Sequence, residues 1–425
     1  MRMDVGKVFA LSLTLLLCFA MPTVSHCQSA MEQVSISLNK LYSELLQKEH
    51  SKWSREVRLL VAQLRDRKAP VRSAAAYSLG LRGMNSKILD ADVQSVTSAL
   101  MRCFYDENRE VRLNAVMALT RIEPIPASAI PALINLTNDD DKNIRKWAMV
   151  GLGETQQSSK ALLSALIKGL KDTDQEVRSH SAAALGDIGP SARSAIPALI
   201  TSLTDPCSEV RSSCAFALAN IKNAHEALYP LINALHDEDG FVRCCAAYTL
   251  GTIAERAEPA VKELKKVLKD PSGFVRCAAA FSLWQIVPSN DLSIPVLVDA
   301  LKDAEFCVRR DAARTLSDMR LAARPALPAL QAALNDSESP VVINAALALG
   351  SLRSLASPAV PALERSLHHV DANVRIAVVE ALGKICPFSR KFLIALEDIA
   401  KHDPDFSVRL AAIQTIELIC KKHRE

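Results

Sequence analysis

The 425-residue chain is 49% hydrophobic but only 4% aromatic, with 51 Lys and Arg against 47 Asp and Glu. Near-balanced charge argues against a general nucleic-acid binder, which carries a basic excess or a basic stripe. The 13 glycines, many at one position of a repeat, exclude a linker-rich or low-complexity chain.

Residues 1–27 have the order of a secretory signal peptide. Arg2 and Lys7 come first, an apolar run from Val8 to Ala20 follows, and Pro22, Thr23, Ser25 and Cys27 close the segment. The run is too short to span a bilayer, which takes ~20 residues. His26 stands where a lipoprotein signal needs a small residue. An exported chain, periplasmic or extracellular, with no transmembrane segment after signal cleavage is expected. In residues 28–51, Val34, Leu38, Leu41, Leu45 and Leu46 fall along one side of a helix, predicting an amphipathic N-terminal cap.

From residue 52 to residue 425 the chain repeats itself. A phrase of Val-Arg, Ala-Ala and Ala-Leu-Gly recurs with its Arg at Arg72, Arg112, Arg145, Arg178, Arg211, Arg243, Arg276, Arg309, Val342, Arg375 and Arg409. After a first interval of 40 residues, the spacing stays between 32 and 34. Six residues before this origin stands Asp in all repeats but one, where His369 replaces it, and seven after it stands Leu or Ile. Each unit reads as two helices. In the fifth, Ser194-Ala195-Ile196-Pro197 opens the first helix, since Pro is tolerated in a first turn. Thr204-Asp205-Pro206 stops it, and a second helix runs from about Glu209 to Ile221. Two short helices cannot bury their apolar faces alone, so such units stack.

These residues resemble the HEAT family, in the subgroup named for phycobilisome-lyase-type repeats. The likeness is carried by the Ile-Pro-Ala-Leu openings, the Asp ahead of Val-Arg, and the stretch from Val177-Arg178 to Gly186, and it covers about Lys52 to the C-terminus. Val342 departs from Arg, His369 from Asp, and Trp284, Ser317 and Glu417 from Gly. The reading is an all-α, HEAT/ARM-like superhelix of eleven two-helix repeats. It is expected to be right-handed and ~100 Å along its contour, at ~10 Å per helix layer.

On the second helix, origin −1, +3, +6, +7 and +10 share the core face, and +1, +5, +8 and +12 point outward. The resemblance implies an Asp–Arg ladder between repeats through Asp172, Arg178, Asp205, Arg211, Asp237, Arg243, Asp270, Arg276, Asp303 and Arg309. The physics agrees, because an Arg fork satisfies turn carbonyls and a carboxylate together. At +5, Phe216, Tyr248 and Phe281 stand in three consecutive repeats, Trp284 adds a ring at +8, and Arg310 and Arg314 border them. Aromatics beside Arg are favoured at binding hot spots. In HEAT-like folds the second helices line the concave surface, so this cluster is the candidate partner site.

The nine cysteines beyond the leader contain no CxxC and mostly replace Ala or Ser, reading as small packed side chains. Iron-dependent, deoxyhypusine-hydroxylase-like relatives carry several His-Glu pairs, whereas this chain has His225-Glu226 alone. No phosphate loop, HExxH or GxSxG is present. A non-catalytic scaffold or adaptor binding a protein or peptide, without cofactor or nucleic acid, is expected. An enzyme or maturation factor related to phycobiliprotein lyases or those hydroxylases is the alternative.

Overall fold

The computed structural model describes residues 54–84, 90–122, 124–386 and 389–422. The leader, the amphipathic segment 28–51 and residues 85–89 of the long first interval lie outside the described residues. Among the described residues there is no strand; the chain is a succession of helices.

These are α1 (54–63), α2 (Ala69–Met84), α3 (Asp90–Cys103), α4 (Arg109–Leu119), α5 (Ile130–Leu136), α6 (Lys142–Glu154), α7 (Lys160–Gly169) and α8 (Gln175–Ile188). They continue with α9 (Ile196–Ser202), α10 (Ser208–Ile221), α11 (Leu228–Ala234), α12 (Gly240–Thr252), α13 (Val261–Val267), α14 (Gly273–Ile286) and α15 (Ser293–Ala300). The last are α16 (Phe306–Asp318), α17 (Leu327–Ala333), α18 (Ser339–Ser351), α19 (Val360–Ser366), α20 (Ala372–Ile385), α21 (Arg390–His402) and α22 (Phe406–Lys422). Odd-numbered helices are the first of each repeat and even-numbered the second.

The chain divides into two compact units, Met1–Gly151 and Leu152–Glu425. In each, second helices pack on second helices to make one layer, and first helices cover that layer. Many first helices are short and are entered through a 3-10 turn, as Gly189–Ala195 leads into α9. The fifth repeat's first helix therefore starts two residues later than its sequence suggests, with Pro197 in its first turn. Asp174, Asp239 and Asp371 cap α8, α12 and α20 by accepting backbone N–H groups of the first turn.

The core follows the repeat register. Val177, Val210, Val242 and Val275 at −1, and Leu185, Leu218, Leu250 and Leu283 at +7, are fully buried. Position +8 does not point outward as helical periodicity alone suggests. A Cβ on Gly186 would stand 3.0 Å from the Cα of Ala217, and one on Gly251 would stand 2.5 Å from the Oγ of Ser282. Glycine there lets the backbone of one second helix approach the next, a contact that a single-helix projection does not contain.

The turns between first and second helices are tied by Arg–Asp rungs. Arg178 Nε donates to Asp205 Oδ2 at 2.7 Å and Nη2 to Oδ1 at 2.9 Å, while Nη1 donates to the carbonyls of Asp172 and Thr173 in its own turn. Arg211–Asp237, Arg243–Asp270, Arg309–Asp336 and Arg375–Asp403 repeat the two-pronged geometry, as do Arg72–Asp106 and Arg112–Asp139 in the other unit. Each Asp also accepts the N–H two residues on, as Asp237 does from Asp239 at 2.9 Å. Burial alone raises the Asp237 carboxyl. The hydrogen bond from Arg211 and that backbone bond outweigh it, holding the carboxyl below its ordinary range.

Val342 and His369, two separate departures in the sequence, are the two halves of one absent rung. Val342 is fully buried, with no guanidinium to satisfy. His369 Nδ1 takes over the Asp's local duty by accepting the N–H of Asp371 at 3.0 Å. Losing both partners avoids the buried unpaired charge that losing one would leave.

Candidate functional site: an aromatic groove on the second helices

In the unit Leu152–Glu425, α10, α12, α14 and α16 present their +5 side chains in a row: Phe216, Tyr248, Phe281 and Arg314. These four line one groove with a volume of about 370 Å³. Phe216 is 50% exposed, and Tyr248 and Phe281 are half-buried. The Tyr248 and Phe281 rings stack, their centroids 5.5 Å apart and their planes 17° apart, the offset arrangement aromatic pairs prefer.

Sequence reasoning missed a second aromatic row. Phe241 and Phe274, at origin −2 of consecutive repeats, line the same groove, and Phe241 is 67% exposed. A column count at −2, one helical turn from +2 and two from +5, would have found them. Cys244, Cys245 and Cys277 form part of the floor. Burial pushes their thiols up, to about 11 for Cys244 and about 12 for Cys245 and Cys277. A protonated thiol is a weak nucleophile, so these cysteines serve as soft apolar surface. Cys103, Cys207, Cys214, Cys244, Cys245, Cys277, Cys307 and Cys386 are free thiols, and the Cys420 side chain lies outside the description.

One wall is charged. Asp311, Arg314 and Asp318 of α16 line it. Arg314 lies 4.0 Å from Asp311 and 3.9 Å from Asp318, loose pairs that leave its side chain 56% exposed. Arg310 is outside the lining and turns back to grip Asp311 at 3.0 Å. Trp284 is also outside the lining; it tilts against Phe281 at 6.4 Å between ring centroids. The ladder residues lie apart from this site, at the turns.

The other candidates do not gather. The His225 ring opens a 3-10 turn, and Glu226 is exposed, 3.9 Å from Arg193. Among the described residues, no three His, Cys, Asp or Glu side chains converge as a metal-ligating group. No described helix is long and apolar enough to cross a membrane. The groove offers stacked rings, an adaptable thiol floor and one available guanidinium, which is chemistry for holding apolar side chains.

A family model described as HEAT repeats matches residues 57–148, 95–186, 130–206, 196–284, 261–350 and 343–417. No curated protein matches the chain. Among solved structures, an engineered protein is 25% identical, covering 85% of this chain and 98% of its own, with a TM-score of 0.40. The complex of CpcE and CpcF of phycocyanin lyase from Nostoc sp. PCC7120 is 24% identical over 57% of this chain and 98% of that one, with a TM-score of 0.43. A second engineered protein is 24% identical over 54% of this chain and 96% of its own, with a TM-score of 0.37.

Proposed function

The chain belongs to the HEAT-repeat family, and from that premise we propose that it is a non-catalytic scaffold that holds a protein segment in the aromatic groove of repeats 5 to 8. The occupant is a segment presenting bulky apolar side chains. The observation that carries this reading is the Tyr248–Phe281 stack, left half-exposed between Phe216 and the guanidinium of Arg314. Rings and arginines of this kind supply most of the energy at protein interfaces, and apolar surface of this kind is stabilised by being covered. The framework residues of the same helices are committed to stacking and to the rungs, which leaves the +5 and −2 rows for recognition.

A library of displayed peptides tests the reading directly. Selection on the full chain should enrich sequences with paired aromatic or branched aliphatic residues. The triple variant Phe216→Ser, Tyr248→Ser, Phe281→Ser should lose at least about tenfold in affinity for them, each ring anchor being worth upwards of ~1 kcal/mol, with its far-ultraviolet dichroism unchanged. Equal binding by this variant refutes the groove assignment. Export is part of the same proposal. The native protein should begin near residue 28, which N-terminal sequencing reads.

A further inference from the structure

The groove lies at the most open of the junctions between second helices from α8 to α22. Consecutive second helices from α8 to α22 pack closely except at one junction, between α14 and α16, where the contact is far sparser than at any other. The cause is legible in the register. In Gly186–Ala217 and Gly251–Ser282, glycine at +8 meets position +6 of the next repeat so closely that an added Cβ would stand at 3.0 and 2.5 Å, and the closely packed junctions after repeats 5 and 8 carry only Ala219 and Ser317 there. In repeat 7 that glycine is Trp284, and the +6 residue of repeat 8 is Thr315. An indole is far larger than the glycine, alanine or serine of the closely packed junctions, so the helices part at this end. At their other end they still touch. A Cβ on Gly273 would stand 2.6 Å from Val308 and 2.9 Å from Asp303. The two helices therefore form a wedge, pinned at Gly273 and open at Trp284.

Two further observations fall on the same junction. Its rung is weaker than the two-pronged ones described above: Arg276 reaches Asp303 through one bond of 3.0 Å, and the two side chains are 26% and 20% exposed, against 9% and 11% for Arg211–Asp237. The linker from α14 to α15 also lacks the 3-10 turn found after α8, α10, α12, α16 and α18. It is held by Asn290 and Ser293 instead, with Ser293 Oγ donating to the carbonyl of Ala280 at 2.7 Å.

We propose that the junction of repeats 7 and 8 is a hinge whose resting opening is set by Trp284, and that flexing it changes the width of the aromatic groove. The groove floor and rings belong to α10, α12 and α14, whereas the charged wall of Asp311, Arg314 and Asp318 belongs to α16, so the hinge runs along the groove's length. A segment bound across it holds the two sides together. The hinge itself stands on the packing alone; its control over binding rests on the groove being the docking site.

Hydrogen exchange read by mass spectrometry on the full chain separates the two claims. In the free wild type, peptides from residues 274–292 and 306–318 should exchange about tenfold faster than the matching peptides of repeats 5 and 9, since local opening tracks local contact density. Trp284→Gly should slow them to the rate of their neighbours, and a groove-selected peptide should slow them in the wild type. Even protection along α8 to α20 in the wild type overturns the hinge, and this profile decides the matter should Trp284→Gly fail to fold. Fast exchange that persists in a folded Trp284→Gly overturns the role of Trp284. Loss of peptide binding by the triple serine variant is a different measurement, so the docking reading and the hinge fail separately.

Discussion

Removing half of a rung should cost far more than removing all of it, and Arg211–Asp237 is the best place to measure this. The two side chains are 9% and 11% exposed and share two bonds of 2.7 Å. Asp237→Ala leaves the Nε and Nη2 of Arg211 without their carboxylate and strips the N–H of Asp239 of its acceptor. Breaking one partner of a buried pair costs about 3–5 kcal/mol, and a freed backbone donor about 1 more. The residual solvent access puts the expectation near the lower figure, about 3 kcal/mol. The double variant Arg211→Val, Asp237→His copies what repeats 9 and 10 carry as Val342 and His369. It should cost only about 1 kcal/mol, about 2 kcal/mol less than Asp237→Ala alone. Urea unfolding followed by circular dichroism measures both, treated as a chain of coupled repeats because an array need not melt in one step. A single variant within about 0.5 kcal/mol of wild type, or a double variant as costly as the summed singles, would refute the reasoning.

The reverse graft should behave symmetrically: Val342→Arg alone destabilises by about 3 kcal/mol, and adding His369→Asp recovers most of it in the same assay. Acid should weaken the array late. The carboxyls of Asp205, Asp237, Asp270, Asp336 and Asp403 are held below their ordinary range, chiefly by their arginines working against burial. A depressed folded value gives stability that is whole above the unfolded value of about 4 and lost as pH falls through the folded values. Urea midpoints should be level from about pH 7 to 5 and drop below about pH 4; a drop already complete by about pH 5 contradicts this. For the buried thiols, iodoacetamide at about pH 8 should leave Cys214, Cys244, Cys245 and Cys277 unmodified in the native chain and label all four in guanidinium, because burial pushes them up to about 12, 11, 12 and 12. Rapid native labelling, read by peptide mass mapping, would count against the closed floor.

The helix pairs were legible because stacking demands the same residue types every 32 to 34 positions. What a single helix cannot reveal is which residues meet across repeats. Position +8 projects outward on a helical wheel, yet Gly251 abuts Ser282, so the significance of Trp284 lay in a neighbour about one repeat away. For the same reason Val342 and His369 looked like independent lapses until the rung geometry joined them. The +5 row of the groove was visible as a column of rings. The −2 row of Phe241 and Phe274, and the floor of Cys244, Cys245 and Cys277, were hidden by reading one column at a time and by the resemblance of cysteine to alanine in size.

The Arg–Asp turns also make the two edges of the array unequal in what they tolerate. The six-residue step from acid to Arg is kept in every repeat that carries the Arg, even where His369 stands for Asp, because each Nη1 must reach carbonyls five and six residues back, as Arg211 does to Asp205 and Pro206. All changes of repeat length fall on the opposite edge, in the linkers after the second helices, where Lys222 and Asn223 adopt left-handed backbone at φ 60° and 51°. A guest domain spliced at the linker around Asn223 would ride on an intact array, whereas the same splice between Asp237 and Gly240 would cut through its stitching.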